Sequence, residues 1–347
     1  MTNKNPTNKM RLSVCIPIYN FEAFIGDTLE SIISQATDEV EIVVVDGGSS
    51  DNTQDVINGY QTKFSRIRYV RLDKRGGIDA DMAKTIELAA GDYCWLFGGD
   101  DIMAQGALKK ILNEIDSGHD LYLCESTLCT FDLKPLGKHR MLNTNSSRVF
   151  DFNNQDQRMD YFKLANNTAA FFSFCSSLII KKVSWDRVTI NSEFMGSHWA
   201  HAVRILEMIP QGLKVMYIPE SCLYKRGDND SFLDQGMVRR HEIAINGYNK
   251  IADKIFGHYS LEAFYIRRSV RRELTIRHML NLKLYCDDNN LSKDKMALDR
   301  LALKHYSDPN LSSRISLLAY KYTPMNLYRG LKIFKNQIKM RLVVDRK

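Results

Sequence analysis

Five near-continuous apolar, β-rich runs recur along the first 126 residues, with stretches of helical spacing between them. The runs are LSVCIPI (12–18), VEIVVVDGG (40–48), RIRYVRLD (66–73), DYCWLFGGDD (92–101) and DLYLCES (120–126). Ile25, Leu29, Ile32 and Ile33 lie on one face of a helix after the first run, and Val56, Ile57, Tyr60 and Phe64 after the second, where Ser49 to Asp51 offer a cap. Met82 and Ile86 mark a helix over Asp79 to Ala90, and Leu108, Ile111, Leu112 and Ile115 mark another. Strands apolar on both faces must be covered on both faces. The pattern therefore predicts an α/β fold with a mostly parallel sheet flanked by helices.

Beyond Thr130 the pattern loosens through the polar stretch 143–158. It returns in FFSFCSSLIIKK (171–182), a helix-like segment at 198–209 and VMYIPESCLYKR (215–226), which read as the acceptor-side half of the same domain. From about Gly236 strand signals fade and basic helical periodicity takes over. With 347 residues, 44% hydrophobic and 26% charged, the chain suits a main domain over 10–235 and a C-terminal helical appendage over 236–347.

The apolar stretch from Ala169 to Ile180 carries three serines and falls short of the roughly 20 residues that cross a bilayer. The N-terminus has a polar lead and no cleavage site behind its apolar run, so the expected location is the cytoplasm. Seven cysteines without a Cys-x-x-Cys pair indicate neither a disulfide framework nor structural zinc, and Cys15, Cys94 and Cys175 read as reduced residues of core strands. The net charge of +7 belongs mainly to the C-terminal third. There Leu327, Leu331, Phe334, Ile338 and Leu342 alternate with Arg329, Lys332, Lys335, Lys339 and Arg341 as a basic amphipathic helix, suited either to packing or to an anionic membrane surface.

In open parallel sheets, ligands bind beyond the carboxyl ends of the strands. Three such ends are polar: Pro17-Ile18-Tyr19-Asn20, Asp46-Gly47-Gly48-Ser49-Ser50-Asp51 and Gly98-Gly99-Asp100-Asp101. Tyrosine can stack on a base, glycines permit close backbone approach, and Asp46 can accept from a base edge, so together they would cradle a nucleotide. Asp100 and Asp101, adjacent acids leaving an apolar strand, repel unless a cation offsets them. Hard oxygen ligands beside a diphosphate suit Mg²⁺ or Mn²⁺.

IPIYN, VVVDGGSSDNT, AAGDY (89–93) and GGDD, in that order, strongly resemble the family 2 glycosyltransferases of the GT-A (nucleotide-diphospho-sugar transferase) fold over about residues 10–230. SSLIIKK (176–182) and KRGDNDSF (225–232) resemble the bacterial abequosyltransferases, which attach a dideoxyhexose to an O-antigen intermediate. The resemblance implies that Tyr19 and Asp46 hold the base, with Asp51 nearby, while Asp100 contacts ribose and Asp101 binds the metal. Pro17, Asn20, Gly48 and Ser49 belong to the same loops. Where many relatives carry Asp-Ala-x-Asn, this chain has Asp79-Ala80-Asp81-Met82-Ala83-Lys84, which leaves Asp79 as the candidate contact there. The resemblance further implies an inverting transfer from a nucleotide-diphospho-sugar to a lipid-linked glycan of lipopolysaccharide biosynthesis. Asp46 could accept from uracil N3–H or from the cytosine amino group, so cytidine and uridine donors both stay open, and the resemblance alone points to cytidine. Membrane docking on the cytoplasmic face of the inner membrane would serve such an acceptor.

Cleaving a sugar–phosphate bond places charge on the diphosphate, which the metal and Lys225 and Arg226 could neutralise. A base must take the acceptor proton. The Glu-Asp pair that many relatives use is absent, and the corresponding segment offers Glu193, His198 and His201. Spacing to Arg204 favours His198, while the abequosyltransferase resemblance favours His201. Two rivals carry weaker signals. A sugar nucleotidylyltransferase would show a Gly-rich basic loop after the first strand, which IPIYNFEAF lacks. A nucleic-acid-binding module would interleave aromatics with its arginines, so no nucleic acid is expected.

Overall fold

The computed structural model describes residues 9–229 and 236–344; the start of the chain, the end of the KRGDNDSF segment and the expected boundary near residue 235 lie outside the described residues. In order, the first elements are β1 (Leu12–Ile18), α1 (Ile25–Ile33), β2 (Val40–Asp46), α2 (Thr53–Lys63), β3 (Ile67–Arg71), α3 (Ile78–Leu88), β4 (Tyr93–Leu96), β5 (Ile102–Met103), α4 (Ala107–Glu114) and β6 (Leu121–Cys129). Then come β7 (Pro135–His139), β8 (Arg148–Asp151), α5 (Gln155–Leu164), β9 (Leu178–Lys181), α6 (Lys182–Asp186), α7 (Ala200–Leu206) and β10 (Lys214–Lys225).

The strands form one sheet in the order β3-β2-β1-β4-β9-β6-β10-β5, with β7 on β6 and β8 on β10. β1 to β4 are mutually parallel, as are β6 and β10, and β9 runs antiparallel to both β4 and β6. Register sets the site. Ile18 pairs with Asp46 and Asp46 with Arg71, so three strands end level and deliver their following loops to one edge. Leu12, Val14, Ile16, Ile42, Val44 and Trp95 are fully buried against helices that include α1, through Ile25, Leu29 and Ile32. Each such aliphatic contributes about 1.5–3 kcal/mol on burial, which makes this half rigid enough to hold loops in place.

The expected strand at 171–182 is shorter than its apolar run. Thr168–Phe171 and Cys175–Ser177 are single 3₁₀ turns, and only Leu178–Lys181 is extended. Cys175 accordingly sits in a half-buried turn, while all seven cysteines are free thiols as expected. The helices from residue 237 are α8 (Met237–Ile251), α9 (Leu261–Glu273), α10 (Ile276–Asp288), α11 (Ser292–His305), α12 (Leu311–Tyr322) and α13 (Met325–Val344). The chain divides into two compact units, Met1–Asp230 with Ile251–Ile266, and Ser231–Lys250 with Arg267–Lys347. In the second, Met279, Leu282, Leu298, Leu301 and Tyr320 pack α10, α11 and α12 together, and Arg271 pairs with Asp308 at 2.6 Å. Among the described residues no helix is long and apolar enough to cross a membrane.

Candidate active site

Asp46 is the hub of the nucleotide-side loops. Its fully buried carboxylate accepts at Oδ1 from the Ser49 N–H and hydroxyl, each at 2.7 Å, and at Oδ2 from the Tyr69 hydroxyl at 2.7 Å. Arg71 Nε lies 3.9 Å from Oδ2, and its guanidinium also donates to the Ser49 carbonyl at 2.8 Å. Burial, then the Asp46 carboxylate, pushes the Tyr69 phenol up. The Asn20 N–H in turn donates to the Ser49 hydroxyl, and Asn20 Oδ1 accepts from the Ser50 N–H, both at 2.8 Å. Asn20 adopts φ 58°, a left-handed conformation that asparagine tolerates. One carboxylate thus ties the loops after β1 and β2 to strand β3.

Around that hub, Pro17 pairs with Val45 inside the sheet, and half-buried Tyr19 carries the Arg75 guanidinium 4.2 Å above its ring. Gly48 has φ +83°, and a Cβ there would lie 3.1 Å from the Leu72 carbonyl, so glycine is required. Asp51 secures the first turn of α2: Oδ1 accepts from the Thr53 hydroxyl at 2.5 Å and its N–H at 3.1 Å, and Oδ2 from the Glu22 N–H at 3.1 Å. Burial acts against the charge, but these donors prevail and hold the carboxyl below its usual range.

Both acids of the pair reach over Gly98. A Cβ on that glycine would lie 3.0 Å from Asp101 Oδ2 and 3.2 Å from Asp100 Oδ1. Asp101, 3% exposed, accepts from the Ser176 hydroxyl at 2.5 Å and the Arg226 N–H at 3.2 Å. Asp100 Oδ2 accepts from the Asn229 amide at 2.8 Å. Burial, then the charge of Asp100, pushes the Asp101 carboxyl well above its usual range, and burial raises Asp100 too. The hydrogen-bond donors to this pair are neutral, and the nearby charges of Lys225 and Arg226 do not outweigh burial, so both carboxyls stay raised. No cluster of three or more His, Cys, Asp or Glu suited to a metal occurs among the described residues, so a cation here would need phosphate or water oxygens to complete its shell. A pair of hard carboxylates fits Mg²⁺ or Mn²⁺ on those terms.

The strap after β10 brings the two expected cations to this place with different roles. The Arg226 side chain, 7% exposed, donates to the carbonyls of Asp100 (3.1 Å) and Phe131 (2.7 Å) and lies over the Phe24 ring at 5.1 Å, which staples the strap down. Lys225 holds its ammonium 4.6 Å over Phe174, and its charge acts on Asp100, Asp101 and His139. His139, at the end of β7, meets the edge of Phe174, and burial and Lys225 push its pKa down to about 4. Ser176, Asn229, Tyr69, Arg75, Asp81 and His139 all escaped sequence reasoning. The usable signal was the serine of an apolar run facing the acid pair.

Asp79 is nearly buried and accepts from the His198 N–H at 2.9 Å and the Ala200 N–H at 3.2 Å, so it secures the turn that starts α7. His198 sits in that turn with φ 71°. His201, buried in α7, hydrogen-bonds through Nε2 to the Phe172 carbonyl at 2.9 Å, which places the proton on Nε2 and leaves Nδ1 as the lone pair. Burial pushes its pKa down and Asp79 opposes this. With Asp79 and Arg204 it lines a cavity of about 10 Å³, room for one water. Glu193, about half exposed, pairs with Lys254 at 3.1 Å. A cavity of about 650 Å³ lies at the opposite, amino-terminal ends of the strands, among Arg11, Asp92, Asp116, Lys182 and Asp186; two of its ion pairs, Arg11 with Asp116 and Lys182 with Asp186, are internal to it.

Residues 13–187 match the family model described as glycosyl transferase family 2. The chain is 32% identical over 252 residues, 71% of its length and 76% of the relative's, to abequosyltransferase RfbV of Salmonella typhimurium. It is 32% identical over 107 residues, 30% of its length and 17% of the relative's, to the poly(ribitol-phosphate) beta-glucosyltransferase of Bacillus spizizenii. Among solved structures, S. aureus TarS 1–349 in complex with UDP superposes with a TM-score of 0.59 at 18% identity, covering 92% of each chain. The mannosyltransferase PcManGT of Pyrobaculum calidifontis, in complex with GDP-Man and Mn²⁺, gives 0.51 at 15% identity, covering 99% of this chain and 89% of that one. These neighbours share the GT-A fold expected from the motifs.

Proposed function

We propose, since the chain belongs to glycosyl transferase family 2, that this glycosyltransferase moves a sugar from a nucleoside diphosphate to a hydroxyl of a lipid-linked, O-antigen-like polysaccharide intermediate, with inversion at the anomeric carbon. The observation that carries the reading is the meeting of a buried and a half-buried carboxylate, Asp101 and Asp100, over Gly98, beside Lys225 and on the edge where the Tyr19 and Asp46 loops end. The enzyme and family findings leave the nucleotidylyltransferase and nucleic-acid-binding readings without support.

In this reading Tyr19 stacks against the base, the loop held by Asp46, Gly48, Ser49 and Asp51 forms the pocket wall, and Asp100 meets the ribose. Asp101 is the protein ligand of Mg²⁺ or Mn²⁺, which when bound supplies positive charge to the departing diphosphate. Lys225 adds to that charge, while Arg226 and Asn229 position the strap. The main domain is residues 10–235, with 236–347 as a basic helical appendage. The expected test is thermal shift with nucleoside diphosphates: at least one should raise the melting temperature in the presence of Mn²⁺, since a ligand of the native state stabilises it. No shift with any of them would remove the reading.

His198, His201 and Glu193 are the candidates for the acceptor base in this scheme, and His201 is the first to test because its Nε2–H is already fixed on Phe172. His201→Gln is expected to lower kcat by about 10²–10⁴-fold with donor binding unchanged. A larger loss in His198→Gln would transfer the role to His198. The helix α13 exposes Leu327, Leu331 and Phe334 alongside Lys332, and half-buried Arg329 pairs with Asp288, while the side chains of Lys335, Ile338, Lys339, Arg341 and Leu342 lie outside the described residues. This face docks on an anionic membrane surface in our reading, and salt-sensitive co-sedimentation with anionic vesicles tests it.

A further inference from the structure

In the second unit a cavity of about 270 Å³ opens among α10, α11 and α12, lined by Lys283, Asp299, Leu303, Leu317, Tyr320 and Lys321. That approaches the roughly 300 Å³ at which small-molecule sites begin. Its walls carry both signs of charge. Lys283 donates to the Tyr320 carbonyl at 2.8 Å and holds its ammonium 4.5 Å from the centre of that ring. The Tyr320 hydroxyl donates to Asp299 Oδ1 at 2.7 Å, which fixes the carboxylate and leaves Oδ2 without a partner among the described residues. Neither Lys283 nor exposed Lys321 forms an ion pair among the described residues. Burial pushes the Lys283 pKa down, Asp299 opposes this and Lys295 adds to it, so its charge is incompletely balanced.

The cavity borders an apolar face that no described residue covers. Leu311, Ile315, Leu318 and Tyr322 follow i, i+4, i+7, i+11 spacing along α12, and each is more than half exposed. By helical spacing, Arg314 and Lys321 fall between that row and the cavity wall formed by Leu317 and Tyr320. From Pro309 to Val344 the sequence has seven Lys or Arg and no Asp or Glu. An apolar row rimmed by cations alone is complementary to hydrocarbon lying beneath a layer of phosphates.

We propose that this cavity binds the head group of a bilayer phospholipid that carries an amine or a hydroxyl, with the phosphate on Lys283 and Lys321 and the N–H or O–H donor on Asp299, while the α12 row enters the acyl layer. The inference deepens the membrane reading of α13 given above. A carboxylate only accepts, so it selects head groups that can donate. A choline head group carries the same phosphate but no N–H or O–H, and would leave Asp299 unanswered.

Dihexanoyl phosphatidylethanolamine, kept below its micelle concentration and titrated calorimetrically into the full chain, tests the cavity apart from any membrane. It should bind at least about tenfold more tightly than dihexanoyl phosphatidylcholine, and Asp299→Asn should bring the two within about threefold of each other. Lys321→Gln should weaken both lipids about fivefold, whereas Arg314→Gln, which removes the same charge from the same helix outside the cavity, should leave both unchanged. Equal binding of the two lipids by wild type, equal effects of the two charge variants, or competition by inorganic phosphate as strong as that of the amine lipid would overturn the cavity assignment. Sedimentation with anionic vesicles but no binding of either soluble lipid would overturn the cavity and leave α13 docking standing. Tight binding of the soluble lipid without sedimentation on mixed phosphatidylethanolamine and phosphatidylglycerol vesicles would overturn the bilayer as the source, and the α13 reading with it.

Discussion

Asp101→Asn is expected to lower sugar transfer by about 10²–10³-fold, the cost of removing one electrostatic stabiliser of a developing anion, while making the protein more heat-stable at neutral pH. The two effects have one cause. Burial and Asp100 hold the Asp101 carboxyl above its unfolded value, so the fold favours the protonated form. A raised acid pKa contributes stability that is fully present below the unfolded value and is lost as pH rises through the folded one. At neutral pH the ionised side chain is therefore a burden on the empty fold, and a neutral amide, which can still bond Ser176, relieves it. The melting temperature should rise by about 2 °C or more at neutral pH and the gain should shrink towards about pH 4. Melting curves across pH, read beside a transfer assay, check both halves; a variant that transfers at the wild-type rate would remove the metal role.

Gly227→Ala should cost kcat about 100-fold with a stability loss of only about 1 kcal/mol. Gly227 lies between Arg226 and Asn229, and a Cβ there would fall almost on the Cys129 carbonyl oxygen at the end of β6, a backbone atom that cannot yield. The strap must lift instead. That takes the Arg226 N–H from Asp101, the Asn229 amide from Asp100 and the Lys225 ammonium from its place beside them. The strap sits at a sheet end rather than in the core, so the fold tolerates the shift while the site does not. Steady-state kinetics paired with thermal melts distinguishes the cases, and kcat within twofold of wild type would mean that the strap does not position the site.

The donor half was legible because its signals are periodic. LSVCIPI became β1 residue for residue and VEIVVVDGG became β2 short of its two glycines, since uninterrupted β-branched runs have few places to go but a covered sheet. The run 171–182 was not, because apolar composition cannot separate a strand from a buried turn. Here the Ser176 carbonyl accepts from Trp95 Nε1–H at 2.9 Å and its hydroxyl donates to Asp101, and both bonds need the turn. Polar stretch 143–158 concealed β8, an edge strand on β10 in which Phe150 alone is fully buried. At the site, the acids after β4 were readable as a pair. Asp79 and Asp81 could not be sorted, because two residues apart on one helix they face different partners, the α7 turn and the Gly47 loop, which only the fold supplies.

The reversed strand β9 has a consequence for how the chain is built. β3, β2, β1 and β4 draw all their mutual pairing from the first 96 residues, so this block can assemble as it leaves the ribosome. Its open side at β4 then waits for Leu178–Lys181, more than 80 residues later, and β6 needs the same segment on its other side. Until that short piece is synthesised, the nascent polypeptide carries an unpaired apolar ribbon, the kind of border that recruits neighbouring chains into aggregates. Four residues act as the keystone between halves that would otherwise emerge as separate, adhesive fragments.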